Sequence, residues 1–227
     1  MPVALITGGA GALGAAAARR LAGDGWSVVL ADIDLSAAQN VAKSIGERAS
    51  AVSMDVTKLE EVRSGVADVI GRFGGVDAVI AAAGGRFGAN VGPFMDAPAE
   101  TWSRIVELHL TGVLNVYYAS LPHMRAKKSG SLVAISAIEA YRGLPSSVAF
   151  STAKGAIAVL TETLVRECQP DNIRVNTIIP PTAESLARSG RNEGATSVGE
   201  AIAFLVSDKA ALTTGAALDC SNGWALH

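Results

Sequence analysis

Seven short apolar runs recur along the chain, separated by longer segments with one polar face. The runs are VALIT (3–7), SVVLAD (27–32), SAVSMD (50–55), VDAVIAAAG (76–84), GSLVAIS (130–136), IRVNTII (173–179) and AALDC (216–220). Runs this short and this continuously apolar suit strands buried on both faces, as a parallel sheet requires. Between them, apolar residues return at helical spacing over about 12–23, 36–47, 58–73, 99–127, 149–168 and 197–207. Strand–helix alternation of this kind predicts one doubly wound α/β domain over residues 1–227. Its seven-stranded parallel sheet would be flanked by helices on both faces. No internal repeat and no Pro/Ser-rich linker argues for a second domain.

Composition narrows the chemistry. About half of the 227 residues are apolar and 18% are charged, enough for a sizeable core. A net charge of −2 gives no electrostatic case for nucleic acid or an anionic membrane surface. The apolar runs fall short of a membrane span. The chain starts directly into its first strand with no basic leader or cleavage site, which points to the cytoplasm. Cys168 and Cys220 form neither a disulfide framework nor a metal cluster, and His109, His123 and His227 lack metal-ligand spacing, so no metal is expected.

The first strand leads into TGGAGALG (7–14), which opens a helix. Glycines let an anion approach the backbone, and the N–H groups of a helix start favour negative charge. Gly8, Gly11 and Gly14, with Ala12 and Leu13 among them, are therefore candidates to hold a pyrophosphate. The second strand ends in Asp32, 18 residues after Gly14. A carboxylate there accepts hydrogen bonds from ribose hydroxyls and repels a 2′-phosphate, which favours NAD over NADP. Ile33 follows it, with no arginine beside it. The plainer reading of Asp32 is a turn or cap residue; Asp34 reads as the N-terminal signal of the next helix. Lys154 stands inside the apolar stretch FSTAKGAIAVL (150–160), where a lysine either has a partner or snorkels to solvent.

These motifs, with MDV (54–56), AAAG (81–84), IRVNTIIPP (173–181) and TTGAALDCSNG (213–223), make the chain resemble a short-chain dehydrogenase/reductase (SDR) of the classical type, from Val3 to about Trp224. The resemblance implies a Rossmann-type fold, NAD as cofactor and hydride transfer between nicotinamide and an alcohol or carbonyl compound. It places Asp55 and Val56 against the adenine, Ala82, Ala83 and Gly84 beside the ribose and pyrophosphate, and Pro180 beside the nicotinamide. Lys154 would bond the nicotinamide ribose and lower the pKa of a neighbouring phenol.

The chain departs from the family where the proton moves. The family's tyrosine position is Phe150, its serine position Ala137, and its relay asparagine position His109. The tetrad is thus degenerate. Ala12 replaces a motif glycine and Pro181 follows Pro180. A positioned general acid contributes roughly 10²–10⁴ in rate, and an oxygen-stabilising donor on the order of 10²–10³. Losing both predicts weak or altered catalysis. His109 and Tyr141 are the first candidates to replace the lost groups, ahead of Glu139 in the same loop; each is also readable as structural. Ser136 should point away from Ala137 by strand alternation. The alternative function is a non-catalytic NAD-binding scaffold subunit, or a variant silenced by design, since serine-to-alanine and tyrosine-to-phenylalanine are the changes that would do so.

Residues from about 182 to 197 form a short, polar, glycine-containing stretch that reads as a substrate lid. The segments 101–128 and 149–168 carry apolar residues on more than one face. The family pairs such helices across two-fold axes, so the resemblance implies a homodimer or homotetramer, acting on a small molecule whose identity these residues do not reveal.

Overall fold

The computed structural model describes residues 1–85, 87–182 and 194–223. Its elements alternate as the apolar pattern predicts. β1 (Val3–Thr7), α1 (Ala12–Gly23), β2 (Ser27–Asp32), α2 (Leu35–Ile45), β3 (Ala49–Ser53), α3 (Leu59–Phe73) and β4 (Ala78–Ala81) form the first half. α4 (Ala99–Val106), α5 (Gly112–Lys127), β5 (Gly130–Ile135), α6 (Glu139–Arg142), α7 (Val148–Cys168), β6 (Ile173–Ile179), α8 (Gly194–Val206) and β7 (Ala217–Asp219) form the second. All strand pairs are parallel, in the order β3-β2-β1-β4-β5-β6-β7. The order reverses between β1 and β4, which opens a crevice at the carboxyl ends of those strands.

The strands are short and apolar because they serve two cores at once. Val3 and Leu5 of β1 face one side with Leu132 and Ala134 of β5, against Val62 and Val66 of α3, Val116 of α5 and Ile157 of α7. Ala4 and Ile6, with Val133 and Ile135, face the other side against Leu21 of α1, Ala38 of α2 and Ile202 of α8. Side chains of period two thus pack both layers, which fixes the register of each strand.

The structure differs from the sequence pattern in three places near the crevice. The helix expected over 99–127 is interrupted by one π turn, Glu107–Thr111, which carries His109. Such insertions of one extra residue recur at functional sites. The loop expected after β5 contains the single-turn helix α6. The expected lid falls largely outside the described residues; at its far end residues 194–197 already belong to α8. Val148–Asp171 is long and apolar enough to cross a membrane by length and composition alone. In this fold α7, its main part, packs against β6 and α6.

Candidate active site

The crevice is one cavity of about 720 Å³. Every residue expected to touch the dinucleotide lines it: Gly8, Gly11, Ala12, Leu13 and Gly14 on the first loop, Asp32 and Ile33 after β2, Asp55 and Val56 after β3, Ala82, Ala83 and Gly84 after β4, Lys154 on α7 and Pro180 after β6.

The loop after β1 has no room for side chains where it folds back. Gly8 has φ +64°, and a Cβ on it would lie 2.6 Å from the Ala82 carbonyl oxygen. A Cβ on Gly14 would lie 2.3 Å from the Gly8 carbonyl oxygen. Bare backbone therefore faces the cavity. α1 begins at Ala12 with no side-chain cap and no acidic residue in its first turn, so its end is electrostatically open to an anion. Asp32 accepts hydrogen bonds from the backbone N–H of Ala10 at 3.0 Å and of Asp34 at 3.1 Å. Asp34 itself caps α2 by accepting from Ala37 N–H at 2.9 Å. Asp55 accepts from the N–H and hydroxyl of Thr57, and Asn115 of α5 holds the Val56 carbonyl at 2.8 Å. These residues fit a dinucleotide: a fixed carboxylate at one end, a side-chain-free cradle in the middle and a buried lysine at the other end.

Lys154 is 4% exposed. Its ammonium donates to the Ile135 carbonyl at 2.8 Å and lies 5.9 Å from the centroid of the Phe150 ring. Burial pushes its pKa down to about 8, against the opposing charge of Glu139. Ser136 is not aimed away from the site. β5 ends at Ile135, strand alternation ends with it, and the Ser136 hydroxyl donates to the Lys154 carbonyl at 3.1 Å.

Ala137 and Phe150 do line the cavity, yet they also pack with Ala89 and Ile105 in a small apolar cluster. Carbon has taken the place where the resemblance expects two hydroxyls. The two expected substitutes are not on the cavity wall. Tyr141 is 40% exposed, because it lies two residues and about 200° around the helix from Glu139. Its phenol is pushed up by burial of part of the ring and by Glu162 and Asp219, which makes it a poorer acid. His109 is fully buried behind the wall, with its Nε2 at 2.7 Å from the Phe87 carbonyl and its ring edge on to Phe150 at 4.9 Å between centroids. Burial, then Lys154, push it down to about 4, so it stays neutral. Gly84, at φ +104°, is shaped by it, since a Cβ there would strike the imidazole at 2.5 Å.

Comparison with known proteins agrees with this geometry. The family described as short chain dehydrogenase matches residues 2–195. The chain belongs to that family. It is 34% identical to the cis-4-hydroxycyclohexanecarboxylate dehydrogenase of Sinomonas cyclohexanicum, over 98% of this chain and 96% of the relative. Among solved structures, an NAD⁺-bound xylitol dehydrogenase superposes with a TM-score of 0.89 at 27% identity, covering 98% of each chain. A 3-ketoacyl-(acyl-carrier-protein) reductase from Brucella melitensis complexed with NADH gives 0.92 at 29% identity, covering 99% of this chain and 98% of its own. This short-chain dehydrogenase thus has the oxidoreductase fold throughout its described residues.

Sequence reasoning missed Glu139 as a site residue of first rank. It is 1% exposed and lines the cavity beside Ala137 and Ile138. The available signal was a carboxylate inside the otherwise uncharged stretch ISAIEA.

Proposed function

We propose that this chain is an NAD(H)-binding oxidoreductase of the short-chain dehydrogenase family that exchanges hydride with an alcohol or carbonyl compound slowly, because Ala137 and Phe150 supply no hydroxyl to the reacting oxygen. The observation that carries this reading is the single cavity joining a backbone-held Asp32 to a buried Lys154. Bound there, the dinucleotide would accept or supply the hydride. Asp32 would take the ribose hydroxyls, the loop from Gly8 to Gly14 the pyrophosphate, and Lys154 the second ribose. The similarity to an NAD⁺-bound and an NADH-bound structure supports the same cofactor. Calorimetric titration tests it: NADH binds with a saturable isotherm and NADPH more weakly, while silence towards both at millimolar concentration overturns the reading.

A second reading is favoured by one observation, the apolar packing of Ala137 and Phe150 against Ala89 and Ile105. A wall sealed by apolar contacts suits an NAD-binding subunit that does no chemistry. A panel of secondary alcohols and ketones separates the two, since the second reading allows binding and forbids turnover. The residue pattern also supports a homodimer or homotetramer, because Leu114 and Tyr118 of α5 and Val148 and Val159 of α7 are exposed apolar residues on the helices expected to pair.

A further inference from the structure

Ile105, near the end of α4, and His109, on the π turn, stand four residues apart and are fully buried. Together they back the stretch of chain that follows β4. A Cβ on Gly88 would meet the Ile105 side chain at 2.4 Å, and one on Gly84 would meet the His109 ring at 2.5 Å. The main chain at both glycines therefore rests directly on these two side chains. Phe87 closes the stretch with two hydrogen bonds. Its N–H donates to the Gly84 carbonyl at 3.1 Å, and its carbonyl accepts from His109 Nε2 at 2.7 Å. A carbonyl can only accept, so Nε2 carries the proton of the neutral ring and Nδ1 carries none. Nδ1 has no hydrogen-bond partner among the described residues. The same ring stands edge on to Phe150, with planes 87° apart. Gly84, Gly85, Leu108 and Phe150 all line the cavity, and His109 stands behind them.

We propose that His109, as the Nε2–H tautomer, is a positioning residue for dinucleotide binding. Without touching the ligand it fixes two stretches of cavity wall, the turn from Gly84 to Phe87 and the ring of Phe150. This deepens the dinucleotide-binding reading above and rests on it. One side chain meets both stretches: its Nε2–H holds the Phe87 carbonyl, and its ring carbons support Gly84 and Phe150. The π turn divides the work between neighbours, since Leu108 reaches the cavity and His109 stays behind it. Removing the N–H leaves the Phe87 carbonyl without this partner, which costs most where water has no access. Removing the ring takes away the surface on which Gly84 rests. The two nitrogens can be told apart chemically. Glutamine places an amide N–H near the position of Nε2, whereas asparagine places one near that of Nδ1.

The test uses the full chain and NADH. Imidazole nitrogen NMR spectra, with the His109 signals assigned by their absence in His109→Gln, are expected to show the Nε2–H tautomer. The Nδ1–H form, or a mixture of the two, overturns the proposal. Fluorescence titration gives NADH affinity below the unfolding transition of each variant, so that lost stability alone does not move it. Affinity falls roughly tenfold to a hundredfold in His109→Phe, which keeps a ring and loses the donor. It recovers in part in His109→Gln and does not in His109→Asn. Amide exchange at Phe87 follows the same order, while the Ala10 N–H, held by Asp32, keeps its wild-type rate. Affinity indifferent to His109→Phe, or equal recovery by the glutamine and asparagine variants, overturns the proposal. Should His109→Phe fail to fold, the wild-type tautomer and the glutamine–asparagine pair decide. A wild type that ignores NADH sinks the cofactor reading and this proposal with it, whereas a wild type and a His109→Phe variant that bind equally sink this proposal alone.

Discussion

The two ends of the cavity have been treated differently. At the β2 and β3 end the polar groups are all in place, and Asp32 is held by two backbone N–H groups before any ligand arrives. At the β5 and α7 end the side chains standing where the resemblance implies two hydroxyls are a methyl and a phenyl, built into an apolar cluster with Ala89 and Ile105. The contrast teaches that on this fold a wall suited to a dinucleotide can stay intact where the two hydroxyls that the resemblance implies are replaced by carbon. Restoring the second end should therefore leave the first untouched. Ala137→Ser with Phe150→Tyr is expected to raise kcat for a ketone by roughly 10²–10⁴, with NADH affinity changed little. An increase in binding without an increase in rate would show that the two ends are not independent.

The opposite experiment attacks the first end. Gly14→Ala places a Cβ 2.3 Å from the Gly8 carbonyl oxygen, and backbone, unlike a flexible side chain, has no cheap way to move. The expected loss is about 3 kcal/mol of stability, read as a lowered denaturation midpoint, with NADH binding abolished. Retention of both would mean that the loop is softer than its contacts indicate.

How much of this was legible beforehand follows the same divide. The binding end could be read because each of its parts is local: a strand, a glycine loop, a helix start and a carboxylate at the next strand end leave a fixed spacing. All seven strands could be read for a related reason, since β1 and β5 must satisfy two cores with alternate residues and so stay apolar throughout. The chemical end was read only in part. Lys154, Ala137 and Phe150 do line the cavity, but whether His109 and Tyr141 reach it depends on a π turn and on a single-turn helix. Neither leaves a period in the sequence. A π turn shifts the helix phase by one residue and turned His109 towards Phe87 and Phe150. The short α6 turned Glu139 inwards and Tyr141 out.

His109 offers a way to sharpen the contrast by pH. Its folded pKa, about 4, lies below the unfolded value of 6.5. Between these values the unfolded chain binds the extra proton, so stability rises with pH through that window and falls as the solution is acidified from 6.5 towards 4. The full effect is roughly 3 kcal/mol. Urea denaturation across pH 4–7 should show this slope in the wild type and a shallower one in His109→Gln. An unchanged slope would mean that the imidazole is not the buried neutral group that seals the wall behind Phe150.

The smallest expected effect falls on Asp32, because other contacts along the cavity would continue to hold the ligand. Its carboxylate performs two tasks: it accepts from Ala10 and Asp34, and it presents its charge to the cavity. Hydrogen bonds to a charged acceptor are worth about 1.5–3 kcal/mol, so Asp32→Ala should weaken NADH binding about tenfold to a hundredfold. The same change removes the repulsion of a 2′-phosphate, so NADPH should weaken less and the gap between the two cofactors should close. Titration of both cofactors against both proteins makes the comparison. An equal loss for the two would assign Asp32 to holding the loop alone, and the preference for NADH would then have to arise elsewhere on the β2 and β3 edge.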